Sequence, residues 1–197
     1  GDATTIASGP GGVWFVASDT AYRLADVSIV PPFGAARIDA RVPIPPASPL
    51  DENHVGEDQA GMAVGEGGVW VLGDAVDRRL AAIDPRTAKI RATIPLPFAP
   101  GGVAAGLGGV WVTAQLDDKV VRIDPRTNRI VATIAVGRAP WGVAAGEGGI
   151  WVANTLDDTV SRIDPSTNRV IATVRVGAHP KELAVGEGSV WLAAVAR

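Results

Sequence analysis

The sequence predicts an all-β protein, a β-propeller of four-stranded antiparallel blades with four complete blades and a fifth half formed. Two observations carry this. Trp70, Trp111, Trp151 and Trp191 are spaced 41, 40 and 40 residues apart, each inside a copy of one unit. Each unit consists of short apolar runs separated by Gly, Pro and Asp turns, and a period of about 40 with that make-up corresponds to one blade per repeat. The 24 glycines and 15 prolines therefore recur in register at turns and are not linker material.

The clearest copy, residues 142–176, shows why each strand forms. Val143-Ala144-Ala145 is a short run of small residues, suited to crowding around a propeller axis. Glu147-Gly148-Gly149 is a tight turn, where glycine supplies positive φ at little steric cost. Ile150 to Ala153 is the second strand, and Leu156-Asp157-Asp158 turns the chain. Val160 to Ile163 alternates in hydrophobicity, as a half-buried third strand should. In Asp164-Pro165-Ser166-Thr167-Asn168, proline presets φ and the carboxylate can accept from a backbone N–H two residues on. Val170 to Val176 is the β-branched outer strand.

Residues 103–136 match this copy closely and 62–96 less so, with Ile83-Asp84-Pro85-Arg86-Thr87 in the same turn. The first repeat is disguised. Its second strand is Val13 to Val16, its third Tyr22 to Leu24, and its outer strand Arg37 to Pro45 aligns with Lys89 to Pro97. Proline there implies the exposed edge of a blade, because it cannot donate to a ladder. The expected blades are 5–45, 60–97, 102–137 and 142–177, with a partial blade at 182–197 and an insertion at 46–59, all in one propeller domain or a fragment of one. Both ends hold inner strands rather than complementary ones. An open end would expose an apolar face worth on the order of 10 kcal/mol at about 25 cal/mol per Å². The ring is thus expected to reach six to eight blades, completed by further blades or by another chain.

Composition narrows the function only by exclusion. At 197 residues and 47% hydrophobic, the chain can bury a sizeable core. A net charge of −3 gives no general attraction to nucleic acid or to anionic membrane. No apolar run approaches the roughly 18 residues of a membrane span, so membrane insertion is not expected. Without cysteine there are no disulfides and no thiolate metal sites. No GxSxG, HExxH or phosphate-binding loop is present.

The Gly146 to Asn154 and Thr159 to Asn168 segments resemble the YVTN-type propeller repeats of bacterial extracytoplasmic proteins. They are also similar to the repeats of streptogramin B lyases, which are seven-bladed propellers. The resemblance covers nearly the whole chain outside 46–59. It implies an extracytoplasmic, periplasmic or secreted, bacterial protein and leaves activity open, since propellers host many functions. In the lyase family the catalytic His follows a Pro at the entrance to an inner strand, near a Mg²⁺ held by carboxylates. The matching positions are Gly101 after Pro100, Trp141 after Pro140 and Lys181 after Pro180; none is His, and His179 precedes its Pro instead.

The tryptophans at 14, 70, 111, 151 and 191 hold one strand position, so packing between adjacent blades accounts for them better than ligand stacking. Turn chemistry accounts for Asp84, Asp124 and Asp164, and solvated turns for Asp117-Asp118 and Asp157-Asp158. Arg122 and Arg162 share a position and are expected to pair with carboxylates or to cover a neighbouring blade. The acidic run Asp51 to Asp58, with His54, has oxygen ligands for a divalent ion but matches no defined motif. No metal site and no cofactor are assigned. The residues that break the repeat in the outer-to-inner connections are more telling: Arg138, Trp141, His179, Lys181 and Glu182. An aromatic beside cations suits a binding surface. Trp141, His179 and Lys181 are expected on one propeller face with the insertion, around the channel mouth. The favoured reading is a non-catalytic binding or scaffolding propeller that presents this face to a protein or small ligand. The alternative is a streptogramin lyase-like Mg²⁺-dependent C–O lyase.

Overall fold

The computed structural model describes residues 5–9, 12–17, 20–25, 37–43, 61–73, 78–177 and 179–195. The insertion at 46–59 lies outside them. The described chain is almost entirely β and falls into two compact units, Gly1–Pro95 and Leu96–Arg197.

The first unit holds two four-stranded antiparallel sheets. One is β1 (Thr5–Gly9), β2 (Gly12–Ala17), β3 (Thr20–Ala25) and β4 (Arg37–Pro43), paired in sequence order. The other is β5 (Met62–Gly65), β6 (Gly68–Leu72), β7 (Arg79–Asp84) and β8 (Lys89–Pro95), likewise in order. Trp14 is fully buried in a cluster with Met62, Val69, Val71, Ala81 and Ile83, so the blade tryptophan of one sheet packs on the next. Pro43 and Pro95 end the outer strands in exposed positions, as the missing N–H requires.

The second unit repeats the design. Its first sheet is β9 (Pro100–Gly106), β10 (Gly109–Ala114), β11 (Lys119–Asp124) and β12 (Arg129–Ala135). Its second is β13 (Pro140–Gly146), β14 (Gly149–Asn154), β15 (Thr159–Asp164) and β16 (Arg169–Arg175). A two-stranded hairpin, β17 (His179–Gly186) and β18 (Ser189–Val195), follows. A single 3₁₀ turn, Thr155–Asp157, is the one helical element among the described residues. Trp111 is fully buried in a cluster with Val143, Ile150, Val152 and Ile163 of the adjoining sheet, which confirms inter-blade packing there.

Two features of the repeat are sharper than the sequence suggests. The Trp111 indole N–H donates to the Gly106 carbonyl at 3.0 Å, and Trp70 and Trp151 repeat this bond to Gly65 and Gly146. A guanidinium also lies over each ring: Arg23 on Trp14, Arg91 on Trp70, Arg122 on Trp111 and Arg162 on Trp151, at 4.8–5.8 Å. Arg122 and Arg162 therefore pair with rings and carbonyls rather than with carboxylates. Trp191 departs from its siblings: it is 66% exposed, where Trp14, Trp70 and Trp111 are fully buried.

The Asp-Pro turns form as expected. The Asp84, Asp124 and Asp164 carboxylates accept from the backbone N–H two residues on at 2.7–2.8 Å. The backbone hydrogen bonds from Arg86 and Arg126 hold the Asp84 and Asp124 carboxyls below the usual range; for Asp164 the Ser166 hydroxyl contributes most. Each turn closes on a residue of positive φ: Ala88, Asn128 and Asn168.

Candidate functional site

The inner strands of the second unit share an irregularity. In β9 the pairing jumps from Val112–Val103 to Ala114–Pro100, and in β13 from Val152–Val143 to Asn154–Pro140. In β17 it jumps between Pro180 and Glu182. Each is a β-bulge at the strand entrance, where an extra residue bends the strand and re-aims a side chain. The residues set there are Gly101, Trp141 and Lys181. The repeat pattern puts Trp141, His179, Lys181 and Glu182 in connections. They lie inside strands instead, because the proline before each bulge already pairs with the neighbouring strand; only Arg138 sits in a connection.

At these bulges the strands approach closely. A Cβ on Gly142 would strike the Lys181 carbonyl oxygen, and one on Gly102 would come within 2.8 Å of the Trp141 carbonyl oxygen. Thr113, fully buried on β10, bridges this gap. Its hydroxyl accepts from the Gly102 N–H at 2.7 Å and donates to the Trp141 carbonyl at 2.8 Å. One blade further on, Thr155 Oγ1 donates to the Pro180 carbonyl at 2.7 Å. The backbone that carries Trp141 and Lys181 is thus held by hydroxyls from the neighbouring blade.

The side chains then meet. Lys181 Nζ lies 5.4 Å from the centre of the half-buried Trp141 ring, within cation–π range. His179 Nδ1 is 3.1 Å from the Thr155 carbonyl oxygen and 3.2 Å from Asp158 Oδ1. Both neighbours are acceptors, so Nδ1 carries a proton and, in the neutral ring, Nε2 is left as the acceptor. Glu182 is exposed. Arg138 is not free to bind an outside anion as a bare charge. Its Nε donates to Asp157 Oδ1 at 2.6 Å, its backbone N–H donates to Asp157 Oδ2 at 2.8 Å, and Nη2 reaches the Leu156 carbonyl. The Asp157 carboxylate hydrogen bond pushes the guanidinium pKa up, and the Arg138 backbone and side-chain donors hold the Asp157 carboxyl down.

The second-to-third strand turns read as solvated in the sequence, and here the structure differs. Asp118 accepts from the Ala139 N–H at 2.9 Å, Asp157 holds Arg138, and Asp158 faces His179. These carboxylates fasten the outer-to-inner connections to the turns beside them. Asn154 does the same from a fully buried position: its Oδ1 accepts from Gly137, and its amide donates to Thr159 and Ser161. Sequence reasoning missed Thr113 and Asn154. The available signal was that each breaks the repeat, since the counterparts 40 residues away are Ala153 and Ala114. No group of three or more potential metal-ligating side chains occurs among the described residues.

Several solved structures share this arrangement of blades. The chain is similar to virginiamycin B lyase from Staphylococcus aureus, at 18% identity over 91% of this chain and 58% of the lyase, with a TM-score of 0.70. A catalytically inactive variant of that lyase with quinupristin aligns at 16% identity over 98% of this chain and 62% of the variant, with a TM-score of 0.74. The WD40 β-propeller domain of Doa1 aligns at 12% identity over 98% of this chain and 61% of that domain, with a TM-score of 0.71. The chain thus spans about three-fifths of these structures, and the likeness is one of fold, with neighbours as different as a lyase and a WD40 domain. No curated protein matches it in sequence. No helix among the described residues is long and apolar enough to cross a membrane. The family model of YNCE-like β-propellers matches residues 96–197, which is half of the chain and the whole of the second unit, so the chain belongs to the YNCE-like β-propeller family.

Proposed function

We propose that the protein is a non-catalytic binding propeller of the extracytoplasmic space, and that it engages a protein or small ligand at the inner-strand entrances of the second unit. The carrying observation is the Lys181–Trp141 pair. Two residues of unlike chemistry occupy one repeated bulge position, and they meet. The ligand chemistry that fits is an anionic group for Lys181 beside an apolar surface for Trp141, with a hydrogen-bond donor for His179 Nε2. Glu182 borders the site and selects against a second anion. Arg138 supports the site through Asp157.

A peptide array tests this reading. Peptides with a carboxylate next to an apolar side chain should be retained by the full chain. Trp141→Ala should weaken that retention by about 2 kcal/mol, roughly 30-fold, as expected for an aromatic anchor. Its melting temperature should stay close to that of the wild type. Equal retention by the variant, or no retention of this peptide class, refutes the site.

The lyase likeness favours a second reading, a Mg²⁺-dependent C–O lyase acting on a streptogramin-type cyclic depsipeptide. His179 turns Nδ1 to the Thr155 carbonyl and Asp158, which leaves Nε2 as the nitrogen such a reaction would use. It nevertheless precedes Pro180 rather than following it. Incubation with quinupristin and Mg²⁺ separates the two readings, and ring opening would overturn the non-catalytic one.

A further inference from the structure

The sheet β13–β16 carries a polar set that the repeat does not require. Asn154, Ser161 and Arg175 stand where the preceding blade has Ala114, Val121 and Ala135, so a blade folds with apolar side chains at all three positions. Ser161 lies opposite Thr173, and Thr159 opposite Arg175, on the paired strands β15 and β16, which puts these four side chains on one face of the sheet. They border a cleft of about 490 Å³, whose other wall is Val136 and Gly137, just after the outer strand of the preceding blade. That size suits a small organic molecule rather than a bare ion.

The hydrogen bonds at the floor of the cleft fix what it can offer. The buried Asn154 amide donates to Ser161 Oγ at 2.8 Å and to Thr159 Oγ1 at 3.0 Å, and Asn154 Oδ1 accepts from the Gly137 N–H at 3.1 Å. Both hydroxyls are thus used as acceptors, and neither hydroxyl proton finds an acceptor among the described residues. Ser161 is 1% exposed, so its proton has the cleft rather than bulk water to turn to. Asp157, the one carboxylate among the described lining residues, already accepts from Arg138 with both oxygens. Arg175 is exposed at the rim and makes no hydrogen bond or ion pair among the described residues. What remains is a row of donors and a guanidinium beside apolar Val136 and Val170. We propose that this cleft binds the carboxylate of a small organic acid, with Arg175 and the Ser161, Thr159 and Thr173 hydroxyls as donors and the valines against a short hydrocarbon tail. The site shares no contacting residue with the Lys181–Trp141 pair.

The test is an NMR titration of the full chain with hexanoate. The Gly137 backbone amide and the Asn154 side-chain amide should shift and saturate, with a Kd of about 1 mM or tighter. Hexanamide, which lacks the charge, and inorganic phosphate, which lacks the tail, should each bind about tenfold more weakly. Arg175→Gln should weaken hexanoate binding about tenfold and leave the melting temperature close to that of the wild type. The double variant Asn154→Ala/Ser161→Val, which rebuilds the apolar pair of the preceding blade, should abolish saturation. Should it fail to fold, the exposed Arg175→Gln substitution still decides. Trp141→Ala should leave hexanoate binding unchanged, so this site and the strand-entrance site stand or fall separately. No saturation in the millimolar range overturns the proposal, and so does equal binding by Arg175→Gln. Phosphate bound as tightly as hexanoate would make it a bare oxyanion site, and hexanamide bound as tightly an uncharged one; either result also refutes it.

Discussion

Thr113→Val replaces one fully buried hydroxyl with a methyl of nearly the same shape, and so isolates the polar link between the two inner strands. Two groups lose their partners: the Gly102 N–H, at 2.7 Å, and the Trp141 carbonyl, at 2.8 Å. Stripping a buried polar group of its partner costs about 1–3 kcal/mol, so the pair spans about 2–6 kcal/mol. Trp141 is half-buried, and relaxation toward water there puts the expected loss near about 3 kcal/mol. Thr113→Ser keeps the hydroxyl and gives up one methyl, which costs about 1 kcal/mol. Urea unfolding followed by circular dichroism measures both. The midpoint should fall with unchanged slope, and the valine variant should fall furthest. A valine variant within about 0.5 kcal/mol of the wild type, or a serine variant no better than valine, would refute the assigned role of the hydroxyl.

Other outcomes follow from the turns. Ala88 has φ of +52° where its counterparts are Asn128 and Asn168, so Ala88→Asn should relieve left-handed strain and raise stability by about 1 kcal/mol, read as a higher melting temperature. The Asp84, Asp124, Asp157 and Asp164 carboxyls all have folded pKa values below the unfolded one. Their contribution is therefore fully present above the unfolded value of about 3.9 and is lost as pH falls through the folded values. Melting temperature should hold from neutral pH down to about 4 and then decline; a decline that sets in near pH ~6 would contradict this origin.

The fold was legible because its period is written in large residues. Tryptophan at one strand position and Asp-Pro at one turn mark the blade, the ring by filling the core and the carboxylate by accepting from its own backbone. Less legible was anything that depends on distance between blades. Thr113 and Asn154 look like ordinary strand residues until the next inner strand is laid beside them. Asp157 and Asp158 look solvated until Arg138 and His179 arrive from the following connection. Arg122 reads as a partner for carboxylates or as a cover for a neighbouring blade, and only the packed sheets decide for the second: it reaches a carbonyl 43 residues away in the Pro165 turn. Trp191 has the same sequence setting as Trp111, and what differs is the surface opposite it.

The strand-entrance bulge separates presentation from architecture. A residue in a regular ladder faces fixed cross-strand neighbours, so changing it alters the sheet. The extra residue of a bulge has no direct opposite, and the backbone around it is tied by main-chain carbonyls and by hydroxyls from another blade. The same kind of bulge carries Trp141 and Lys181, whereas at Gly101 a Cβ would come within 2.8 Å of the Thr113 hydroxyl. Such a frame behaves like a row of sockets. Chemistry can be rewritten at the Trp141 and Lys181 sockets while the sheets stay as they are, and the glycine at 101 leaves room for the hydroxyl that ties the two inner strands.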